Sequence, residues 1–288
     1  MNQSERLDYL LEKFIDDYEE TARKTVSRRA EAHGAYRRME SPEDPEEKRR
    51  LLRSLMNIRM PRMLSPAVLK VQDEYLQARN RENGIVYLSD IPSIADRGSR
   101  HAVGDRLSVW QGDITRLSVD AIVNAANSQM LGCFVPMHSC IDNCIHTFAG
   151  IQLRAECSRK MQELRAKYGP DYEQPTAVPI LTDGYNLPAK KVIHIVGPIV
   201  QGDLTEDLER DLSDCYRNTL DLCLANGLRS IAFCCISTGV FRFPNKRAAE
   251  IAAETVTYWL SAHPDAMERV VFNVFKDEDK AYYEAELQ

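Results

Sequence analysis

Two cysteines and a histidine, Cys133, His138 and Cys140, fall within eight residues in the stretch GCFVPMHSC. Thiolate and imidazole are soft donors that favour zinc over magnesium or calcium. They can converge on one ion only if the loop folds back on itself. Three protein ligands leave the fourth tetrahedral position open, the arrangement of a catalytic rather than a structural zinc. The spacing C-x4-H-x-C is not one of the standard paired zinc spacings. On the residues alone, three buried side chains of a reduced protein explain it equally well. Cys144 and His146 follow closely, and a fourth ligand from either would close the site and make it structural. The default for Cys144 is a small apolar residue on the inward face of a helix. His194, within a strand pattern, reads as a core histidine.

This loop lies midway between motifs that resemble halves of a nucleotide pocket. Upstream are Gln111-Gly112-Asp113-Ile114 and Asn124-Ala125-Ala126-Asn127; downstream is Ser237-Thr238-Gly239-Val240-Phe241. Each alone is ordinary. Asp113 caps a turn, the two asparagines hold loop backbone, and Ser-Thr-Gly links a strand to a helix. Together they recur at strand C-termini, where open α/β sheets bind ligands. Asp142 sits at a helix start, where a carboxylate stabilises the macrodipole by ~0.3–1 kcal/mol without any catalytic role.

The elements that must position these residues are legible from hydrophobic periodicity. From about Arg106, short β-rich runs alternate with longer helical ones. Strands are expected at Leu107–Trp110, Ala121–Val123, Val178–Leu181, Val192–Val196, Ser230–Cys234 and Val270–Val274. Helices are expected at Ile141–Ala149, Ile151–Tyr168, Leu204–Asn226, Asn245–Ser261 and Asp277–Leu287. Strands this apolar are buried on both faces, which needs helices on both sides. The expected architecture is a three-layer α/β/α sandwich with a mixed, mostly parallel sheet. Cys157, Cys215, Cys223, Cys234 and Cys235 fall in these elements and read as core.

The first hundred residues differ, with 19 basic and 18 acidic side chains. Leu7, Leu10, Leu11, Phe14, Ile15 and Tyr18 follow helical spacing. Arg28 to Pro45 reads as a polar connection, with Ser41 and Pro42 as helix-start signals. A second helix is expected from Glu46 to Asn57. A third starts at Ser65-Pro66, reaches Asn83 and stops at Gly84. Asp96 to His101 reads as a surface linker. The division is therefore a helical extension over residues 1–100 and a main domain over 101–288.

Composition narrows the function. No apolar run approaches the ~18 residues of a membrane span. The charged N-terminus is not a secretory signal. The eight cysteines then read as reduced and cytoplasmic. A net charge of -6, with 18 basic against 25 acidic residues after Arg100, argues against nucleic acid as the main partner. An anionic nucleotide remains open, because helix N-termini and loop amides bind phosphate without lysine.

QGDITRLSVDAIVNAANS, CIDNCIHTFAG, GYNLPAKKVIHIVGP and SIAFCCISTGVFRFP, in that order, resemble the macrodomain family, whose members bind ADP-ribose. Most macrodomains carry a glycine-rich loop between NAAN and the helix near Ile141. Here GCFVPMHSC replaces it, which resembles the zinc-containing macrodomains, ADP-ribosyl hydrolases often encoded beside a class M sirtuin. The segments LMNIRMPR and QDEYLQ resemble that group's N-terminal extension, so the likeness covers essentially the whole chain.

The resemblance implies roles. Asp113 would accept from the adenine amino group and the Ile114 amide would donate to the ring. Asn127 would bind the distal ribose. Ser237, Thr238, Gly239, Val240 and Phe241 would wrap the diphosphate with backbone N–H groups, with Phe241 also against the ribose. Cys140, Ile141 and Asn143 would line the pocket, and the Ile141 amide adds a favourable dipole. Asp142 and Asn127 would be the catalytic pair at the scissile ribose. Cys133, His138 and Cys140 would hold Zn2+. His146 belongs to an Ile-His pair shared with macrodomains lacking zinc and is expected to be structural. One departure is Ala177, where the family often has glycine; Ala would be strained there if the turn needs a positive φ.

The function implied is removal of mono-ADP-ribose from modified proteins, from Asp or Glu esters, with a functional link to a class M sirtuin and its acceptor protein. Zinc would either align a ribose hydroxyl or activate water. The alternative is a non-catalytic reader of ADP-ribosylated proteins whose zinc is structural.

Overall fold

The computed structural model describes residues 1–25 and 39–288. Most of the polar connection expected over Arg28 to Pro45 lies outside the described residues. Three helices come first: α1 (Gln3–Thr25), α2 (Pro45–Ile58) and α3 (Pro66–Glu82). Asp44, not Ser41, caps α2: its carboxylate accepts from the amides of Glu46 and Glu47, both at 2.9 Å, and Pro45 fills the first turn. The cap and first-turn signals within SPEDPEE are therefore Asp44 and Pro45 rather than Ser41 and Pro42. Ser65 and Pro66 begin α3 as expected, and Gly84 at φ +84° follows its end. Leu7, Leu10, Leu11, Phe14 and Ile15 are buried against Leu52, Leu55, Val68 and Tyr75 in a core of their own.

The main body alternates strand and helix. After β1 (Val86–Tyr87) come β2 (Leu107–Gln111), β3 (Leu117–Ser118) and β4 (Ala121–Ala125). Then follow α4 (Ile141–Ala149), α5 (Ile151–Tyr168), β5 (Ile180–Asp183) and β6 (Lys191–Ile195). The chain ends with α6 (Glu206–Ala225), β7 (Ser230–Phe233), α7 (Asn245–Ala262), β8 (Arg269–Val274) and α8 (Asp277–Glu286). The main sheet runs β2-β8-β7-β4-β6-β5, parallel except for the antiparallel edge pair β5–β6. Its inner strands are buried on both faces, against α4 and α5 on one side and α6, α7 and α8 on the other. This is the mixed, mostly parallel α/β sandwich that the sequence predicts.

Two differences have local causes. The edge strand β5 starts two residues later than expected because Ala177 stands at φ +61° in a turn, which leaves Val178 exposed. That turn does require a positive φ, and alanine occupies it. The pair β1–β3 has only two residues per strand, too few to show a period of two. Residues expected to precede or form a linker also join the main core: Ile91 and Ile94 are buried with the sheet, and Ser99 Oγ donates to the Leu287 carbonyl at 2.8 Å. Among the described residues, no helix is long and apolar enough to cross a membrane.

Candidate active site

The parallel strands β2, β4 and β7 end on one side of the sheet, and the chemistry-bearing loops leave from those ends. At β2 the chain turns through Gly112, where an added Cβ would lie 2.5 Å from the Trp110 ring. The turn is pinned by Gly112 N donating to Val274 O at 3.0 Å and Asn273 Nδ2 donating to Gly112 O at 2.9 Å. Asp113 is half-buried, and its Oδ1 accepts from both the amide and the hydroxyl of Thr115, at 2.9 and 2.7 Å. One residue beyond β8, Phe275 is 78% exposed, and its carbonyl is 3.3 Å from Gln111 Nε2. An uncovered aromatic face thus stands beside the QGD turn.

After β7 the segment 237–241 forms a compact loop. Ser237 is at φ +65° and its carbonyl accepts from Phe243 N at 3.0 Å. The Thr238 amide and hydroxyl both turn back to Cys235 O, at 3.4 and 3.0 Å. Thr238 N–H is therefore less available for a ligand than the sequence suggested. Among the described residues, the amides of Ser237, Gly239, Val240 and Phe241 meet no protein acceptor. The Ile141 and Asp142 amides, in the first turn of α4, are likewise unused. Such clusters of backbone donors suit a phosphate group. Phe241 packs beside Ala126, Met130 and Val196, which brings this loop against the NAAN segment.

The end of β4 and the start of α4 meet in a buried polar cluster. Asp142 is 5% exposed; its Oδ1 accepts from Asn124 Nδ2 at 2.8 Å and its Oδ2 lies 3.4 Å from Asn127 Nδ2. Burial raises the Asp142 carboxyl to about 6, opposed by the Asn124 hydrogen bond and the Arg154 charge. Asn127 also donates to Gly132 O at 3.2 Å and accepts from Gln129 N at 3.1 Å, so its amide plane is fixed. His146 Nε2 is 3.5 Å from Asp142 Oδ1. Burial holds His146 neutral, and the contact makes no hydrogen bond, so it is not an ion pair.

Cys133, His138 and Cys140 are half-buried, and their ligand atoms all lie within 4.8 Å of one another. Cys133 Sγ is 3.8 Å from His138 Nδ1, which accepts from Cys140 N at 3.4 Å. Bonds of ~2.0–2.3 Å to a shared tetrahedral ion place ligand atoms under ~4 Å apart, so this donor set fits zinc with little movement. Cys140 caps α4 through its Sγ, which accepts from Asn143 N. Burial pushes the Cys140 thiol up to about 12, so a bound cation would have to displace its proton.

Cys144 is not packed inward as expected. It is half-exposed, its sulfur lies 3.7 Å from Arg53 Nη2, and it stands outside the ligand group. His146 is turned away from that group and forms a second, fully buried cluster with Cys157 and His194. His194 is satisfied by Asn124 at Nδ1 and Thr182 Oγ1 at Nε2, both at 3.0 Å, and His146 also feels the positive Arg154. That cluster is the polar core beneath Asp142, as read for His194.

The sequence matches the Macro domain family over residues 123–252. Over 248 residues it is 50% identical to the protein-ADP-ribose hydrolase of Treponema medium, covering 86% of this chain and 90% of that one. The chain belongs to the macrodomain family. It is also 44% identical over 234 residues to a Staphylococcus aureus protein-ADP-ribose hydrolase, covering 81% of this chain and 82% of that one. Among solved macrodomains, that of Trypanosoma brucei in complex with ADP-ribose aligns with TM-score 0.61 at 30% identity, over 85% of this chain and 96% of the other. The Oceanobacillus iheyensis macrodomain with ADP aligns with TM-score 0.55 at 37% identity, over 65% of this chain and 93% of the other.

Several residues of this macrodomain site escaped the sequence reading. Asn273 and Phe275 flank Asp113 but arrive from a strand about 160 residues away. Arg154 was the more visible one. It interrupts the inward stripe of α5 formed by Ile151, Cys157 and Met161, and a cation in such a stripe signals a buried partner.

Proposed function

We propose that this macrodomain hydrolyses the bond between ADP-ribose and a modified protein. The observation that carries the proposal is the junction at the start of α4. There a buried carboxylate, Asp142, follows within two residues of Cys140, a member of the metal-ligand group, while the free amides of Ile141, Gly239, Val240 and Phe241 supply a phosphate cradle. The relatives named protein-ADP-ribose hydrolase support it, as does the likeness to a macrodomain holding ADP-ribose.

In this reading Asp113 selects the amino-bearing base and the Ile114 amide donates to the ring. Phe275 offers a stacking face for the base. The cradle of Ser237, Gly239, Val240, Phe241 and Ile141 holds the diphosphate, with Thr238 shaping the turn. Gly239 lets the backbone approach closely. Asn127 binds the distal ribose, and Asn143 braces the loop across from it. Asp142 orients water or stabilises positive charge developing on the ribose. Raised to about 6, it is still mostly ionised at neutral pH, yet more basic than an ordinary carboxylate and so better able to take a proton. Cys133, His138 and Cys140 would hold Zn2+, which when bound supplies Lewis acidity to polarise an oxygen or align a sugar hydroxyl. The substrate bond proposed is the ester of Asp or Glu mono-ADP-ribosylation, with a class M sirtuin and its acceptor protein as the functional partners.

The test is release of ADP-ribose from acceptors carrying ester, serine or arginine linkages. Release from the ester acceptor alone is expected. ADP-ribose binding with no release from any linkage by the metal-loaded protein would make it a non-catalytic reader instead.

A further inference from the structure

The loop carrying the metal ligands is not held by its own burial. Val135 is 55% exposed, Met137 is 38% exposed, and Met137 is at φ +58°. What holds the loop is a set of polar bonds, and two of them come directly from helix α2, outside the sheet domain. Arg53 Nη2 donates to the His138 carbonyl at 2.8 Å and to Asn143 Oδ1 at 2.9 Å. Asn143 in turn donates through Nδ2 to Val135 O at 2.9 Å and Cys133 O at 3.4 Å. Asn57 Oδ1 accepts from Met137 N at 3.0 Å.

The base of the loop is tied to the same helix. Arg154 Nη1 donates to the carbonyls of Met56, Asn57 and Arg59 at 3.1, 2.8 and 2.7 Å, the negative end of α2. Its Nη2 reaches Cys133 O at 3.4 Å, and its guanidinium lies 4.3 Å from the centre of the Phe134 ring. Thus the backbone at two of the three ligand residues, Cys133 and His138, is bonded to a guanidinium that belongs to α2 or is anchored on it.

We propose that Arg53 is a positioning residue for the metal ligands, so that helix α2 is a working part of the metal centre rather than a cap on the fold. This rests on the metal reading of Cys133, His138 and Cys140. Charge-assisted bonds to a carbonyl and an amide oxygen fix the loop in a ligand-ready shape before the ion arrives, and that lowers the ordering cost of binding.

The experiment uses the full chain, stripped with chelator and titrated with Co2+ alone. Its visible and thiolate charge-transfer bands report ligand geometry. Arg53→Ala is expected to weaken Co2+ binding at least tenfold, alter the band intensities and lower kcat, with affinity for ADP-ribose within twofold of wild type. Arg53→Lys, which keeps a donor, should recover most of the lost affinity. Hydrogen exchange across residues 133–140 of the metal-free protein should be at least tenfold faster in Arg53→Ala. If Arg53→Ala does not fold, the pair Asn57→Asp and Asn57→Leu takes its place. The first keeps an acceptor for Met137 N but loses the donor to Thr147 Oγ1, and should bind Co2+ at least tenfold more tightly than the second, which loses both. Wild-type affinity, spectrum and exchange in Arg53→Ala, or in Asn57→Leu, overturn the proposal. A wild-type protein that takes up no Co2+ instead overturns the metal reading itself, so the two failures appear in different proteins.

Discussion

Asn124 Nδ2 lies 2.8 Å from Asp142 Oδ1 and 3.0 Å from His194 Nδ1, so one buried amide joins the carboxylate of the pocket to the core histidine of the next strand. Asn124 is the penultimate residue of β4 and His194 is its register partner on β6. The sheet therefore sets the carboxylate's orientation from below, while the helix start sets it from above.

Replacing Asn124 with Leu removes the donor and leaves Asp142 buried with a poorer partner. Loss of a hydrogen bond to a buried charged group costs ~1.5–3 kcal/mol. We expect thermal unfolding to shift down accordingly and turnover to fall at least tenfold. Calorimetry and ADP-ribose release measure the two effects. Unchanged turnover in a folded Asn124→Leu protein would remove Asn124 from the positioning of Asp142.

Stability should fall with acid between pH 6 and 4. Burial lowers His194 to about 3 and drives His146 well below its ordinary value, so both are neutral when folded and protonated when unfolded in that window. Each makes stability rise with pH by up to ~1.4 kcal/mol per unit. Asp142, raised to about 6, acts with the opposite sign: its contribution rises as pH falls from 6 toward the unfolded carboxyl value. Two imidazoles against one carboxyl leave a net loss of ~1.4 kcal/mol per unit on acidification. Asp142→Asn should steepen the slope. Urea unfolding of the metal-free protein across this range would refute the assignment if stability were flat.

Cys140 both caps α4 and belongs to the candidate ligand group, and the two roles separate chemically. Cys140→Ser keeps a cap, because hydroxyl groups are good N-cap acceptors. It should fold normally, lose most bound zinc by metal analysis and lose most turnover. Chelation of the wild type should give the same phenotype, restored by zinc. Full activity in metal-free Cys140→Ser would show that the metal has no part in turnover.

Gly197, just past β6, supports the 237–241 loop from behind. An added Cβ there would lie 2.1 Å from Ser237 Oγ and 2.7 Å from Ile236 Cγ2. Ser237 is buried and already at a positive φ, so the loop, not the strand, is expected to move. Gly197→Ala should weaken ADP-ribose binding at least tenfold by calorimetry while leaving zinc content unchanged. Wild-type affinity would mean that residues 237–241 do not hold the diphosphate.

The sequence by itself determined the order and type of nearly every element. Helix Ile141–Ala149 has a strong period and Gly150 divides it from Ile151–Tyr168, both local properties. It also brought out the QGD, NAAN, GCFVPMHSC and STGVF segments, because each depends on residue types close in the chain. What it left undecided was which side chain faces which. Cys144 is four residues from Cys140, yet Arg53, about 90 residues away, draws its sulfur off the ligand group. Only the tertiary structure decided that Asp142 is buried against Asn124, that Asn273 and Phe275 border Asp113, and that α2 grips the 133–140 loop through Arg53 and Asn57. The physical reason is that hydrogen-bond partners for a buried polar group are chosen by packing, and packing joins residues whose separation along the chain carries no periodic trace.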